Sequence, residues 1–107
     1  MAAGVVAVNG ARTLRSAVNE LMDAAPGAGV RSAIGQAAIA VPGVRAIEQL
    51  RVRGTARAHT VDLHVQMDPL LPLREAHNLS GRVKSAIRTA VPEVRSVLIH
   101  IEPYEEE

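Results

Sequence analysis

Residues 60–67, TVDLHVQM, alternate without a break: Val61, Leu63, Val65 and Met67 fill one set of positions and Thr60, Asp62, His64 and Gln66 the other. Period two marks a strand buried on one face only, because successive side chains point to opposite sides of a sheet. Such a strand needs neighbours for its backbone groups and a layer to cover its apolar side. Asp68-Pro69 stops it, since proline has no N–H to give a ladder. The rest of the chain must therefore supply more strands and an amphipathic layer, within 107 residues that amount to one domain.

The other segments meet that demand. Residues 95–102 repeat the alternation, with Val97, Ile99 and Ile101 predicted inward and Leu98, His100 and Glu102 outward. Residues 46–53 read as a third strand that ends on Leu50 and Val52 alternating with Arg51 and Arg53, and Gly54 opens a short connection. Under regular pairing Glu48 shares the face of Leu50 and Val52, either as a strand-end residue or as a ligand. Helical spacing takes over elsewhere. Leu14, Val18 and Leu21 predict an N-terminal helix closed by Pro26-Gly27. Val30, Ala33, Ile34, Ala37, Ala38 and Val41 predict a helix over 30–41 that Pro42-Gly43 ends, with Gly35 marking close packing or a weak helix. Over 72–91, Leu73, Ala76, Leu79, Val83, Ala86, Ile87 and Ala90 form the buried stripe, and Pro92 stops it. The order helix, helix, strand, strand, helix, strand predicts an α+β, ferredoxin-like αββαβ sandwich. Its three-stranded sheet carries helices on one face, preceded by an extra N-terminal helix.

Composition narrows the function classes. There is no cysteine, so neither disulfides nor thiolate metal sites are available and any transition-metal site must use imidazole and carboxylate. Tyr104 is the only aromatic, which removes the base-stacking side chains of small RNA-binding sheets, and a net charge of +1 adds no pull towards nucleic acid. Arg45, Arg51, Arg53 and Arg57 gather around one hairpin, as a solvated edge or as partners for acidic residues. No Ser, His and acid arrangement and no phosphate-binding glycine loop is present, so an enzyme is not expected. The opening MAAGVVAVNGA is too short for a membrane span before Asn9, Arg12 and Arg15, and it lacks the form of a secretory signal. A soluble, cytoplasmic chain is expected.

The outward face of the strands carries the chemistry. Asp62 and His64 lie on one strand and His100 and Glu102 on another, each pair at the i, i+2 spacing that aims both side chains the same way. A sheet covered on one side needs a polar outer face in any case, so a solvated surface and a divalent-metal site both account for these residues. Asp62 beside His64 suits either a ligand or an acceptor that holds the imidazole tautomer. His77 sits at the margin of a helix stripe, His59 is expected to be exposed before its strand, and Glu105, Glu106 and Glu107 read as a solvated tail.

Four stretches, VPGVRAIEQLRVRG, VDLHVQMDP, LPLREAHNLSGRV and VPEVRSVLIHIEP, together resemble the cytoplasmic C-terminal domain of cation diffusion facilitator transporters, over about residues 14–103. The resemblance implies a metallochaperone-like domain over 27–107. Residues 1–26 then resemble the end of a last transmembrane helix and its linker. It also implies a homodimer that binds divalent cations, chiefly Zn²⁺, with Mn²⁺, Fe²⁺ and Co²⁺ sharing the same donors. The metal would draw two protomers together, in regulation of a membrane transporter domain or in a free-standing sensor or buffer. His64, His77, His100 and Glu102 fall where zinc-binding members place ligands, and Asp62 where some use an acidic one. Glu48 stands where those members have histidine, and Glu102 where they have aspartate. The alternative from another class is a regulatory αβ domain that holds an amino acid, for which residues 5–8 would have to be a strand of the sheet.

Overall fold

The computed structural model describes residues 27–55 and 57–106; the expected N-terminal helix and residues 5–8 lie outside them. The described chain runs α1 (Ala28–Ile39), β1 (Val44–Thr55), β2 (Ala58–Met67), α2 (Leu73–Ala90) and β3 (Val94–Pro103). β2 is the central strand, antiparallel to β1 across a tight hairpin and parallel to β3. A parallel neighbour requires a crossover, and α2 supplies it. The result is the expected α+β architecture, a three-stranded mixed sheet with two helices.

The alternation in β2 sets the core. Val61, Leu63, Val65 and Met67 are buried beneath Ile34 and Ala38 of α1 and Leu79, Val83 and Ile87 of α2, with Val52 and Val97 from the flanking strands. Burying each large aliphatic side chain is worth about 1.5–3 kcal/mol, so this all-aliphatic layer carries the fold without aromatics. Gly35 reflects close packing, because a Cβ there would touch Ile47 and Leu50 of β1 at 3.6 and 3.8 Å. The stripe of α2 is buried only from Ala76 onward. Leu73, expected inside, is 84% exposed because nothing packs over the first turn, and Ala90 is exposed in the last, while Ser80 is buried. On β3, Val97 is buried and Ile99 half-buried, but Ile101 is 44% exposed at the sheet edge.

Two further expectations change. His59 is buried, 3% exposed, because β2 begins at Ala58 and the inward set extends two residues before Val61. Its backbone N–H donates to Glu93 O, while its ring Nδ1 has no partner. Glu48 does not share the face of Leu50 and Val52, because pairing in β1 is not regular. Arg51 opposes Asp62 but Glu48 opposes His64, so β1 carries one extra residue between them. Gln49 takes that bulge with φ 51°, a left-handed conformation that costs a non-glycine residue roughly 1–2 kcal/mol. The bulge reverses the parity of the strand. Ile47 is thereby turned inward opposite Val65 and Glu48 outward opposite His64.

Candidate metal centre

With the apolar face under the helices, the outer face of the sheet presents cross-strand rows fixed by register. Glu48, His64 and His100 form one row across all three strands. The next row towards the hairpin is Arg51, Asp62 and Leu98, and the next the other way is Ala46, Gln66 and Glu102. Neighbouring positions in a row are close enough for side chains to meet. The His64 and His100 rings do meet, stacked with centroids 4.6 Å apart and planes 17° from parallel.

Glu102 reaches from its own row to this pair. His64 Nδ1 donates to Glu102 Oε1 at 2.5 Å, with the two side chains 23% and 35% exposed. An ionised carboxylate only accepts, so with Glu102 in that form the contact requires the N–H on Nδ1 and leaves the lone pair of a neutral His64 ring on Nε2. Holding the imidazole tautomer was one of the two roles open to Asp62, the other being a ligand. Asp62 instead accepts from Arg53 Nη2 at 2.7 Å, in a largely solvated pair. The hairpin arginines are partly engaged in this way, and Arg45 lies 5.8 Å from the Tyr104 ring centroid.

The structure thus brings His64, His100, Glu102 and Glu48 together and leaves two expected residues apart. Asp62 is one row away and bound to Arg53. His77 is exposed on α2, in the layer on the other side of the sheet. Among the described residues no three His, Asp or Glu side chains converge on a point where they would hold a metal ion. The stacked rings are consistent with this, since their lone pairs lie in two nearly parallel planes whose centroids are 4.6 Å apart, and a shared ion requires one ring to turn. The donor chemistry nevertheless fits a borderline divalent cation, with two imidazoles and a carboxylate in one solvent-facing row. A shallow concavity of about 310 Å³, lined by Gly43, Leu71, Glu75, Asn78, Leu79 and Arg82, lies on the helical side, away from this row.

Sequence reasoning found the two strand pairs but not their alignment. The spacing of His64 and His100 along the chain says nothing about register across a parallel crossover, and nothing local announces a bulge at Gln49. No helix among the described residues is long and apolar enough to cross a membrane.

Residues 26–104 match the family described as cation efflux protein, cytoplasmic domain. Among curated proteins, the chain is 33% identical over 87 residues to the cation-efflux pump FieF of Pectobacterium atrosepticum, covering 81% of this chain and 29% of the pump. It is 34% identical over 94 residues to metal tolerance protein C1 of Arabidopsis thaliana, covering 88% of this chain and 20% of that protein. The chain therefore spans less than a third of the length of these relatives. Among solved structures, a MamM CTD variant superposes with a TM-score of 0.68 at 30% identity, covering 72% of this chain and 95% of the other. A copper form of MamM CTD matches with the same TM-score at 28% identity, covering 72% and 85% of the two chains. A zinc form of a further variant also scores 0.68, at 27% identity and 73% and 86% coverage. With its αββαβ order and the matched span covering all five described elements, this chain belongs to the family of cytoplasmic domains of cation efflux proteins, the cation diffusion facilitators.

Proposed function

We propose that the outer sheet face is a regulatory divalent-cation site, with zinc as its foremost ion, and that the domain works as a homodimer on the cytoplasmic side of a cation efflux system. The observation that carries this reading is the His64, His100 and Glu102 cluster, in which two stacked imidazoles share a solvent-facing row with Glu48 and the Glu102 carboxylate reaches His64 from the next row. Imidazole and carboxylate are the donors a cysteine-free chain can offer zinc, and copper and zinc forms of the similar MamM CTD support a cation as the ligand of this fold. Bound there, the ion would supply a fixed double positive charge that crosslinks side chains of different strands.

A tetrahedral set needs four donors, and one chain offers His64, His100 and Glu48 in a row with Glu102 attached to it. His77 lies on the far side of its own sheet, so it joins such a set only from a second copy. Asp62 has to leave Arg53 before it ligates. A site completed in this way couples metal binding to the arrangement of two protomers, which is how a domain without chemistry of its own regulates a transporter. Alone, the same domain acts as a metal sensor or buffer. Calorimetric titration of the purified chain with Zn²⁺ tests the reading. Binding that is lost in the His64→Ala/His100→Ala double variant supports it, and no binding, or binding that the variant leaves unchanged, sinks it.

A further inference from the structure

The arginines of the hairpin strands have no part in the cation site, and register sorts them. Arg45 follows Val44, which pairs with Met67, so it stands at the far end of the sheet, over the Tyr104 ring. Arg51, Arg53 and Arg57 remain at the hairpin end, where three more arginines join them. Arg31 lies in the first turn of α1 and donates to Leu50 O at 2.9 Å, Arg88 lies in the last turn of α2, and Arg95 follows Val94, which pairs with His59. All six are exposed. Among the described residues this end holds two acids, Asp62 and Glu93, and one ion pair, Arg53 with Asp62. The opposite end is reversed. Asp68, Glu75 and Glu102 gather there with Arg45 and Arg74, and Glu105 and Glu106 follow Tyr104, whose N–H donates to Met67 O. The ten residues of β2 separate the two ends by roughly 30 Å, some three to four Debye lengths at physiological salt. A charged surface that meets one end is therefore screened from the other, and the net charge of +1 conceals a basic pole.

We propose that the hairpin end docks on an anionic phospholipid surface. The pole is made of arginine, whose planar fork takes a phosphate in two hydrogen bonds, whereas Lys84, the only lysine, sits within α2 away from it. Its charges ring the end instead of lining one face: Arg51 and Arg53 belong to the outer sheet face, Arg57 to the tip and Arg88 to the helical side. A second copy that offered its acidic end would meet this pole head to tail, a contact that repeats without closing, while a flat anionic surface engages the ring at once. α1 also starts at this end, so residues 1–26, which resemble the end of a transmembrane helix and its linker, join the domain on the side the pole faces. That placement rests on the resemblance; the charge pattern does not.

The test sediments the purified chain with vesicles of mixed phosphatidylglycerol and phosphatidylcholine, and with vesicles of phosphatidylcholine alone. A chelator is present throughout, so no cation bridges protein and lipid and the outcome is independent of the cation site. The chain is expected to bind the mixed vesicles, less so as salt rises, and to leave the neutral ones unbound. Each arginine near such a surface strengthens binding about fivefold, so Arg57→Gln/Arg95→Gln should bind about 25-fold more weakly. Arg45→Gln/Arg74→Gln removes the same charge from the acidic end and should stay within about twofold of the parent. No binding to the mixed vesicles, or equal binding to the neutral ones, overturns the proposal. So does binding that Arg57→Gln/Arg95→Gln leaves unchanged, which would place the contact in other residues, or an equal loss in both double variants.

Discussion

Gly54 is the position where a single methyl group should do the most damage. It precedes the hairpin closed by the Thr55 and Ala58 pair, with φ +113°, and a Cβ there would lie 2.1 Å from the Ala58 carbonyl oxygen and 3.2 Å from its carbon. The positive φ alone costs an L-residue roughly 1–2 kcal/mol. The overlap is with backbone, which has no rotamer to escape into, so relief requires the strands to part at the Gly54–His59 and Thr55–Ala58 pairs. That forfeits about two ladder hydrogen bonds at roughly 1 kcal/mol each. Gly54→Ala should therefore cost about 3–4 kcal/mol, between about a fifth and three quarters of the total that roughly 0.05–0.15 kcal/mol per residue gives a chain of this size. Urea unfolding at fixed protein concentration reads this as a midpoint lowered by about 3–4 M, for a slope near 1 kcal/mol/M. Gly81→Ala is the matched control: it is exposed within α2 with nothing within 4 Å of its Cβ, and it should gain about 0.5–1 kcal/mol. A Gly54→Ala variant within about 1 kcal/mol of the parent would refute the reasoning. The consequence reaches the site, because the register that sets Glu48 opposite His64 is counted from this turn.

Three further outcomes are expected. His59→Leu removes a buried ring nitrogen without a partner and should raise stability by about 1 kcal/mol in urea unfolding, where a loss would mean that the ring makes an essential contact. Arg53→Ala breaks a pair whose cation is 68% exposed and should cost less than about 1 kcal/mol, which a double-mutant cycle with Asp62→Ala measures directly. Zinc affinity should fall on acidification, by up to about 100-fold per pH unit where two imidazoles each exchange a proton for the ion, and a calorimetric series across buffers would show a flat profile if His64 and His100 take no part.

The sequence carried the fold because β2 alternates strictly and the two helices are punctuated by proline and glycine. Those signals are local, and they fixed which strand faces are buried. What was not legible was non-local. The inward His59 follows from β2 starting at Ala58, earlier than its alternation with Thr60 announced. The face of Glu48 depends on one extra residue in β1, and a left-handed Gln49 has no sequence signature comparable to glycine. The side-by-side placement of His64 and His100 depends on a parallel register set by α2, and the choice of Glu102 over Asp62 as the partner of His64 depends on Arg53 taking Asp62 first. Leu73 shows the limit of periodicity from the other side, since a residue in phase with the stripe stays exposed when nothing packs over the first turn.

The most direct test is a crystal structure of this chain grown with Zn²⁺, with the ion located by anomalous scattering at the zinc edge. The account predicts an ion on the outer sheet face, bound by His64 Nε2 and His100, with at least one donor from a second copy. An ion bound elsewhere, or crystals soaked to saturation with no zinc on that face, would contradict it.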